Sequence, residues 1–533
     1  MFTINYEHRV KTRRTFAIIS HPDAGKTTVT EKMLFLGKVI HMAGTVKAKG
    51  SSKYARSDWM EIEKRRGISV TTSVMQFSYK DCIINLLDTP GHEDFSEDTY
   101  RILTAVDFCI MIIDAAKGVE ERTRKLIEVT RLKKTPIITF INKLDRYCKN
   151  YISLLDEIES DLNIKCIPIN WPIGSGTSFY GIYNLKNKKI HTYLKKKKSE
   201  QSQNNLSDSI KIFNLFSLKK IYEKNYAEEI YEELQLIENV YDKHNSAEFL
   251  KSISTPVFFG TALGNFGIDY MLDYVVKYAP SPSSRKTNLR IVNPKESFVT
   301  GFVFKIQANM DLRHRDRIAF LRIVSGIFHK GMKLKNIRTG KIFVLSDAVY
   351  FIAGERRIVN SAYPGDVIGI HNHGTINIGD TFTEGENFSF IEIPLFAPEI
   401  FKKVLLKNPL KKKQLVKGLI ELSEEGTIQV FRKMDSNTIF LGAIGSLQFE
   451  VVLDRLRIEY KVDIAYNDVN IAVIRWIKCK SKKKLKDFIN KYSQHLAFDF
   501  KKNLVYIATN AANLKITSDL NKEHISFSST INF

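Results

Sequence analysis

Cysteine is scarce in this sequence, and the few cysteines present do not have the spacing of a metal site. They stand at positions 82, 109, 148, 166 and 479, without a CxxC pair or a histidine cluster nearby, so neither a disulfide framework nor a structural zinc site is expected. Cys82 and Cys109 lie in apolar, strand-like runs, where a free thiol behaves as a small hydrophobic group. We therefore predict that both belong to the core of a protein that folds in a reducing cytoplasm.

Long apolar runs are also missing. No stretch of about 18 uninterrupted apolar residues occurs, and the first 15 residues, MFTINYEHRVKTRRT, contain no apolar segment followed by a small-residue cleavage site. We predict that the protein neither spans a membrane nor is secreted.

Acidic residues are fewer than basic residues. The chain has 81 Lys and Arg against 58 Asp and Glu, a formal net charge of +23. Such an excess is typical of proteins that contact phosphate backbones, and RNA is the leading candidate partner. An alternative is that AT-rich coding pressure enriches Lys, Ile and Asn, so that part of the charge reflects composition only.

The 533 residues are enough for three or four domains at roughly 150 residues each. Alternating apolar runs and helical periods predict an α/β domain over residues 1–282, with a less regular, basic insertion at about 174–254 that begins with a flexible, solvated loop. A Pro/Ser-rich linker surrounds position 282. Short apolar runs between turn signals predict a β-barrel over residues 283–395, and mixed patterns predict an α+β domain over residues 396–533.

Within the first domain, the apolar runs predict strands that form one parallel sheet. The strand Ser73 to Tyr79 is expected to pair antiparallel with Cys82 to Leu87 across the Lys80-Asp81 turn. The other predicted strands are Phe16 to Ile19, Phe108 to Ile113, Pro136 to Ile141 and Pro256 to Gly260.

The first predicted strand is followed by a phosphate-binding loop, Ser20-His21-Pro22-Asp23-Ala24-Gly25-Lys26-Thr27, which leads into a helical pattern. The backbone N–H groups of such a loop form an anion site at the helix N-terminus. Lys26 can reach the β- and γ-phosphates, and the Thr27 hydroxyl can bind Mg²⁺. Ser20 replaces the glycine with which the general pattern begins.

Two further loops follow strands. In Asp88-Thr89-Pro90-Gly91-His92, Asp88 can hold a magnesium-bound water, Gly91 can bring its N–H to a γ-phosphate, and His92 can orient an attacking water. In Asn142-Lys143-Leu144-Asp145, the Asp145 carboxylate can accept two hydrogen bonds from guanine, and Asn142 can recognise the base's O6 and N7 edge. Thr261-Ala262-Leu263 can supply supporting backbone at the guanine oxygen. The three loops in this order predict a GTP or GDP site.

These motifs resemble the translational GTPases of the elongation factor G type, and specifically the bacterial class-II peptide chain release factors known as release factor 3. The resemblance extends over nearly the whole chain, through stretches that include RRTFAIISHPDAGKTT, NLLDTPGHEDFSEDTYRILTAVD and GFVFKIQANMDLRHRDRIAFLRIVSG. The small residue at Ser20 is usual in that family. Elongation factor G has further domains that 533 residues cannot hold, so translocation is not expected.

The resemblance implies a ribosome-dependent GTPase that promotes dissociation of class-I release factors after peptide release, acting as a monomer. It implies that His92 is catalytic and that Arg66-Gly67-Ile68-Ser69 is the first switch, in which Ser69, or instead Thr71 or Thr72, binds Mg²⁺. A ribosome-rescue or assembly factor is the nearest rival. A small-molecule kinase or ATPase would lack the NKLD sequence, and a non-hydrolysing regulator would lack His92.

Overall fold

The computed structural model describes residues 2–40, 73–192, 212–214, 224–241, 245–264, 266–308, 317–352, 355–390, 394–436, 438–479 and 481–532. Contacts divide the chain into a first unit, residues 1–92, 106–283 and 351–357, and a second unit, residues 93–105, 284–350 and 358–533. The helices are α1 (Phe2–Lys11), α2 (Lys26–Leu36), α3 (Ser96–Ala105), α4 (Glu121–Leu132), α5 (Tyr151–Leu162), α6 (Lys224–Val240), α7 (Ser246–Leu250), α8 (Ile268–Tyr278), α9 (Lys412–Glu424), α10 (Ser446–Glu459), α11 (Lys482–Tyr492) and α12 (Ala511–Asn521).

The first unit is built on a seven-stranded sheet in the order β2-β3-β1-β4-β5-β11-β6. The strands of the first unit are β1 (Arg13–Ser20), β2 (Ser73–Tyr79), β3 (Cys82–Asp88), β4 (Phe108–Asp114), β5 (Ile137–Asn142), β6 (Lys165–Pro168), β7 (Asn170–Ile173), β8 (Gly181–Asn184), β9 (Lys189–Thr192), β10 (Ile212–Asn214) and β11 (Ser254–Phe259). All pairs in the sheet are parallel except β2 with β3, which pair antiparallel as predicted.

The core of this unit lies between the sheet and its helices. Alternate residues of β1 and β4, such as Phe16, Ile18 and Ile110, pack with α2 and α8 in one buried cluster. The alternation follows from the two-residue period of a strand. Cys82 and Cys109 are buried, which confirms the prediction that they are core residues.

The described part of the predicted, less regular insertion at about 174–254 contains regular secondary structure. Strands β7 to β10 form a four-stranded sheet in the order β10-β9-β8-β7, and helices α6 and α7 follow. The short strands, of three or four residues each, give too weak an alternation to be seen in the sequence. The lysines at 195–198 lie outside the described residues.

Two eight-stranded sheets lie mostly in the second unit. The first has the order β18-β17-β23-β14-β15-β22-β19-β20, and its strands from β18 to β19 in this order pair antiparallel. Strands from residue 285 to residue 383 are β12 (Arg285–Lys286), β13 (Ile291–Val292), β14 (Thr300–Ala308), β15 (Arg317–Ser325), β16 (Phe328–His329), β17 (Met332–Asn336), β18 (Ile342–Leu345), β19 (Val349–Ile352), β20 (Glu355–Ile358), β21 (Ser361–Ala362), β22 (Val367–His371) and β23 (Thr381–Thr383).

The second of these sheets has the order β28-β25-β27-β26-β30-β31-β29-β32, and α9 and α10 pack on it through leucines and Phe449. The remaining strands are β24 (Pro394–Phe396), β25 (Ile400–Leu406), β26 (Gln429–Lys433), β27 (Ile439–Ala443), β28 (Ile464–Asp468), β29 (Val473–Cys479), β30 (Leu496–Asp499), β31 (Leu504–Ala508), β32 (Ile525–Ser528) and β33 (Thr530–Asn532). Among the described residues, no helix combines the length and apolar character needed to cross a bilayer.

Candidate nucleotide site

The loop of residues 20–27 connects β1 to α2 and depends on one glycine. Gly25 has φ +98°, a left-handed conformation that a residue with a side chain rarely adopts. A Cβ at this position would also lie 2.3 Å from Asn142 Nδ2. Lys26 is the first residue of α2, so the loop presents the N-terminal N–H groups of that helix. Local geometry and packing together therefore require glycine where the motif has it.

Lys26 and Asp88 form a buried ion pair. Lys26 Nζ lies 2.6 Å from Asp88 Oδ1, and the side chains are only 6% and 2% exposed. Because β1 and β3 are parallel neighbours, with Ile18 opposite Asp88, the end of β3 lies beside the phosphate loop. The structure thus brings together the two charged residues that the sequence assigned to phosphate and metal binding.

The loop after Asp88 packs against the phosphate loop. Thr89 is buried, and its Oγ1 donates a 2.6 Å hydrogen bond to the carbonyl of Ile18. A Cβ added to Gly91 would lie 3.6 Å from Pro22 Cα, so the two loops are close at that point. His92 is half-buried and is the last residue of the first unit before the chain enters the second.

Asn142 connects two of the predicted site loops. Its Nδ2 donates to the carbonyl of Ala24 at 2.9 Å, and its Oδ1 accepts from the Ala262 N–H at 2.9 Å. The side chain is buried at the end of β5. Because O6 and N7 of guanine are both acceptors, recognition of that edge by Asn142 would rely on the second N–H of Nδ2, beside the one bonded to Ala24.

The residues after Asn142 make equally specific contacts. Lys143 Nζ donates to the carbonyl of Asp23 at 2.5 Å. Leu144 is buried, with its N–H 3.3 Å from the Gly260 carbonyl. Asp145 Oδ1 accepts a short hydrogen bond from Thr261 Oγ1. All four residues of this motif therefore lie against either the phosphate loop or the segment after β11.

The segment Thr261-Ala262-Leu263 lies where the sequence predicted it, beside residues 142–145. Thr261 and Ala262 are buried and hydrogen-bonded to Asp145 and Asn142, whereas the Leu263 side chain is 53% exposed. Hydrogen bonds from the first two residues fix the backbone of the segment, and the leucine contributes a surface position.

Sequence reasoning missed Asp114 and Glu120. Asp114 ends β4 opposite Asn142, and its Oδ2 accepts from Lys143 Nζ at 2.7 Å. Burial by itself would raise the pKa of Asp114, but hydrogen bonds from Lys143 and the Ala116 N–H, with the nearby Lys117 charge, hold it below the ordinary value. Glu120 Oε1 lies 3.3 Å from Nε2 of His21 in the phosphate loop. The position of Asp114 at a strand end, like Asp88, was the available signal.

The described residues supply oxygen ligands that fit a magnesium ion. Thr27 offers a hydroxyl at the start of α2, and Asp88 offers a buried carboxylate whose charge is balanced by Lys26. Mg²⁺ prefers such hard oxygen donors. The predicted switch residues Ser69, Thr71 and Thr72 lie outside the described residues.

Comparison with known proteins defines the class. A model of the elongation factor Tu GTP binding domain matches residues 11–281, and a model of elongation factor G domain 2 matches residues 298–385. A solved structure from Thermus thermophilus has a TM-score of 0.68 and 20% identity, covering 89% of this chain and 71% of its own. That likeness supports the fold. The class is therefore a translational GTPase with an α/β GTP-binding domain, a β-barrel and an α+β domain, which confirms the predicted fold class.

A third model, the C-terminal domain of class II release factor RF3, matches residues 390–518. Peptide chain release factor 3 from Buchnera aphidicola subsp. Acyrthosiphon pisum (strain 5A) is 59% identical over 530 residues, covering 99% of both chains. The protein of the same name from B. aphidicola subsp. Schizaphis graminum (strain Sg) is 59% identical over 520 residues, covering 98% of both. The chain belongs to the peptide chain release factor 3 family. It is a guanine-nucleotide-binding GTPase of translation termination.

Proposed function

We propose that this protein binds GTP at the carboxyl ends of β1, β3 and β5, hydrolyses it to GDP and phosphate on the ribosome, and thereby dissociates class-I release factors after peptide release. The buried Lys26–Asp88 pair at 2.6 Å is the observation that supports the nucleotide chemistry most. It lies between a phosphate loop and a DTPGH loop in a chain that matches its relatives over 99% of its length.

Each loop then has a role in holding GTP or GDP. The N–H groups of residues 20–27 bind the phosphates, and Lys26 exchanges part of its contact with Asp88 for the β- and γ-phosphates. Asp145 accepts hydrogen bonds from guanine, and Asn142 donates from Nδ2 to its acceptor edge. Lys143, Leu144 and residues 261–263 keep these two side chains in position, which is supported by the hydrogen bonds to Asp23, Gly260 and Asp145.

Thr27 and Asp88, with Ser69, Thr71 or Thr72 as a further hydroxyl, would hold Mg²⁺, which offsets charge on the phosphates when it is bound. His92 would orient the attacking water by a hydrogen bond from its imidazole, in a geometry completed on the ribosome. Positioning of this kind typically contributes a factor of about 10² to 10⁴ in rate.

The formal net charge of +23 supports contact with ribosomal RNA. We propose that the protein acts as a cytoplasmic monomer, with domains at residues 1–282, 283–395 and 396–533. The three matched ranges, 11–281, 298–385 and 390–518, support this division. Nothing in the sequence suggests direct peptide release, since it has no Gly-Gly-Gln triplet of the kind class-I factors use.

A dissociation assay tests this function. Ribosomes that have released their peptide are loaded with a labelled class-I factor, and its dissociation is followed after adding this protein with GTP. We expect acceleration that weakens as salt rises, because neutralised phosphates release counterions. The Asp145→Asn variant gives a matched control, since it should respond to XTP and lose its response to GTP. Dissociation no faster than with buffer, alongside intact GTP binding, would contradict the proposal and favour a rescue or assembly role.

A further inference from the structure

The segment that follows His92 belongs to the second unit and contacts a helix that is distant from it in sequence. Residues Glu93–Phe95 form one 3₁₀ turn, and α3 begins at Ser96. The carboxylate of Asp94 is 6% exposed, and its Oδ2 accepts the N–H of Leu447 at 2.6 Å. Leu447 is the second residue of α10, so Asp94 binds one of the N–H groups that a helix leaves without an internal partner.

Helix α10 has no side-chain cap from its N-cap residue, although Gln448 Oε1 accepts the Gly445 N–H at 3.2 Å. The residue before the helix is Gly445, which has no side chain, although helices favour Ser, Thr, Asp or Asn there. A Cβ on Gly445 would lie 1.9 Å from Asp94 Cγ, so Asp94 fills the space of the missing cap. A carboxylate at this end of a helix also interacts favourably with the helix dipole.

Further contacts hold the same segment in the second unit. Arg101 of α3 is buried, its Nη2 lies 2.6 Å from Glu97, and a Cβ on Gly426 would lie 1.9 Å from its Nη1. Lys305 of β14 lies 3.4 Å from Asp98. The Tyr100 ring meets Phe396 edge to face, with centroids 5.1 Å apart. The segment 93–105 is therefore fixed by packing and charge as well as by the cap.

We propose that Asp94 is a positioning residue for His92. Two residues of chain span at most roughly 7 Å, so anchoring Asp94 on α10 restricts where the His92 backbone can lie. This inference rests on the proposed role of His92 in orienting water.

The first test replaces Asp94 and separates turnover from binding. Asp94→Ala should lower kcat for ribosome-stimulated GTP hydrolysis by on the order of 10- to 100-fold, the loss typical of a slightly misplaced catalytic group. KM and the Kd for GTP should stay at the parental values, because residues 20–27 and 142–145 are unchanged. Asp94→Asn keeps an oxygen acceptor for Leu447 and should recover most of the lost rate. A parental kcat in Asp94→Ala would overturn the inference.

A second variant distinguishes positioning from simple stabilisation of the helix. Gly445 has φ −139° and ψ 164°, which serine adopts freely, and removal of the Asp94 carboxylate makes room for its side chain. In Asp94→Ala with Gly445→Ser, the new serine can cap α10 locally, so the melting temperature should recover while kcat stays low. Recovery of kcat together with the melting temperature would show that Asp94 only caps the helix, and would overturn the inference.

Combination with His92→Ala completes the experiment, using single-turnover hydrolysis. If Asp94 acts through His92, adding Asp94→Ala to His92→Ala should cause little further loss. A further loss as large as in the parent would overturn the inference while leaving the proposed function intact. If His92→Ala alone hydrolyses GTP at the parental rate, the proposed role of His92 fails, and the inference fails with it.

Discussion

Each unit of the molecule contains a buried cation paired with carboxylates, and the two sites differ in how the cation is held. In the first unit, Lys26 Nζ meets Asp88 Oδ1 at 2.6 Å. In the second unit, Arg455 makes two hydrogen bonds to Glu425, at 2.6 and 3.1 Å, and two to Glu459, at 2.7 and 3.0 Å. Both cations are buried, but only Arg455 has its planar donors matched by a pair of carboxylates.

The difference separates an exchangeable contact from a permanent one. A lysine ammonium is a compact charge that can take a new partner, which suits a residue that must turn towards phosphates. Arg455 is tied in a fixed geometry, and Glu425 also accepts the Ala308 N–H at 3.1 Å, connecting α9 and α10 to β14. Burial by itself would lower the pKa of Arg455, but Glu425 and Glu459 outweigh it and keep the pKa above its usual range. We propose that the first pair serves nucleotide binding, whereas the second stabilises the fold.

The largest effect is expected at His92, which belongs to neither pair. His92→Ala should bind GTP normally and lose ribosome-stimulated hydrolysis by on the order of 10² to 10⁴, because the water would no longer be oriented. Single-turnover hydrolysis measures the rate, and nucleotide affinity measures binding. His373→Ala, at an exposed loop histidine, should keep the parental rate. Equal rates for the two variants would show that another group orients the water.

Breaking the permanent pair should cost stability and leave the nucleotide site intact. Arg455→Met leaves Glu425 and Glu459 without their cation, so the free energy of unfolding of the second unit should fall by about 3–5 kcal/mol. Denaturant unfolding measures it, with GTP affinity as a second readout. Arg457→Met is the matched control, since Arg457 is 70% exposed and 3.6 Å from Asp463, and should change stability by at most about 1 kcal/mol. Equal losses in both variants would contradict the assignment.

Two variants test the residues proposed to bind the guanine base. Asp145→Asn should weaken GTP binding by about 1.5–3 kcal/mol and favour XTP, because charged hydrogen bonds to the base are lost. Thr261→Val removes the hydroxyl that donates to Asp145 and should weaken GTP binding by about 0.5–1.5 kcal/mol. Thr261→Ser keeps this hydroxyl and should bind GTP with the parental affinity. Titration of GTP and XTP measures both. Unchanged discrimination between the two nucleotides in Asp145→Asn would remove residues 142–145 from the site.

The smallest effect is a pH dependence at Asp114. Its folded-state pKa lies below the ordinary 3.8, so its stabilising contribution is present above that value and is lost as the pH falls through the folded pKa. Asp114→Asn should therefore lower the urea midpoint of the first unit at pH 7, and the gap to the parent should narrow as the pH falls below 3.8. Asp81→Asn, at an exposed turn, should show no such gap. A gap that stays constant with pH would exclude the carboxylate's charge as the cause.

Much of the nucleotide site could be predicted because its requirements are local. Gly25 is required by a positive φ, and Lys26 and Thr27 follow it at the first turn of a helix. Asp88 and Asn142 each stand directly at a strand end, and parallel strands bring their carboxyl ends to one edge of the sheet.

The amino-acid sequence by itself therefore determined the class of fold, the family and where the three loops proposed to bind nucleotide lie, since each depends on residue types at short, fixed spacing. Only the tertiary structure decided the partners of Lys143, Arg455 and Leu447. Lys143 and Asp114 are 29 positions apart along the chain, and Arg455 and Glu425 are 30 apart. Leu447 and Asp94 are 353 positions apart. No local pattern marks such pairs, because a buried charge or an uncapped helix end can be satisfied by any acceptor that folding brings within about 3 Å.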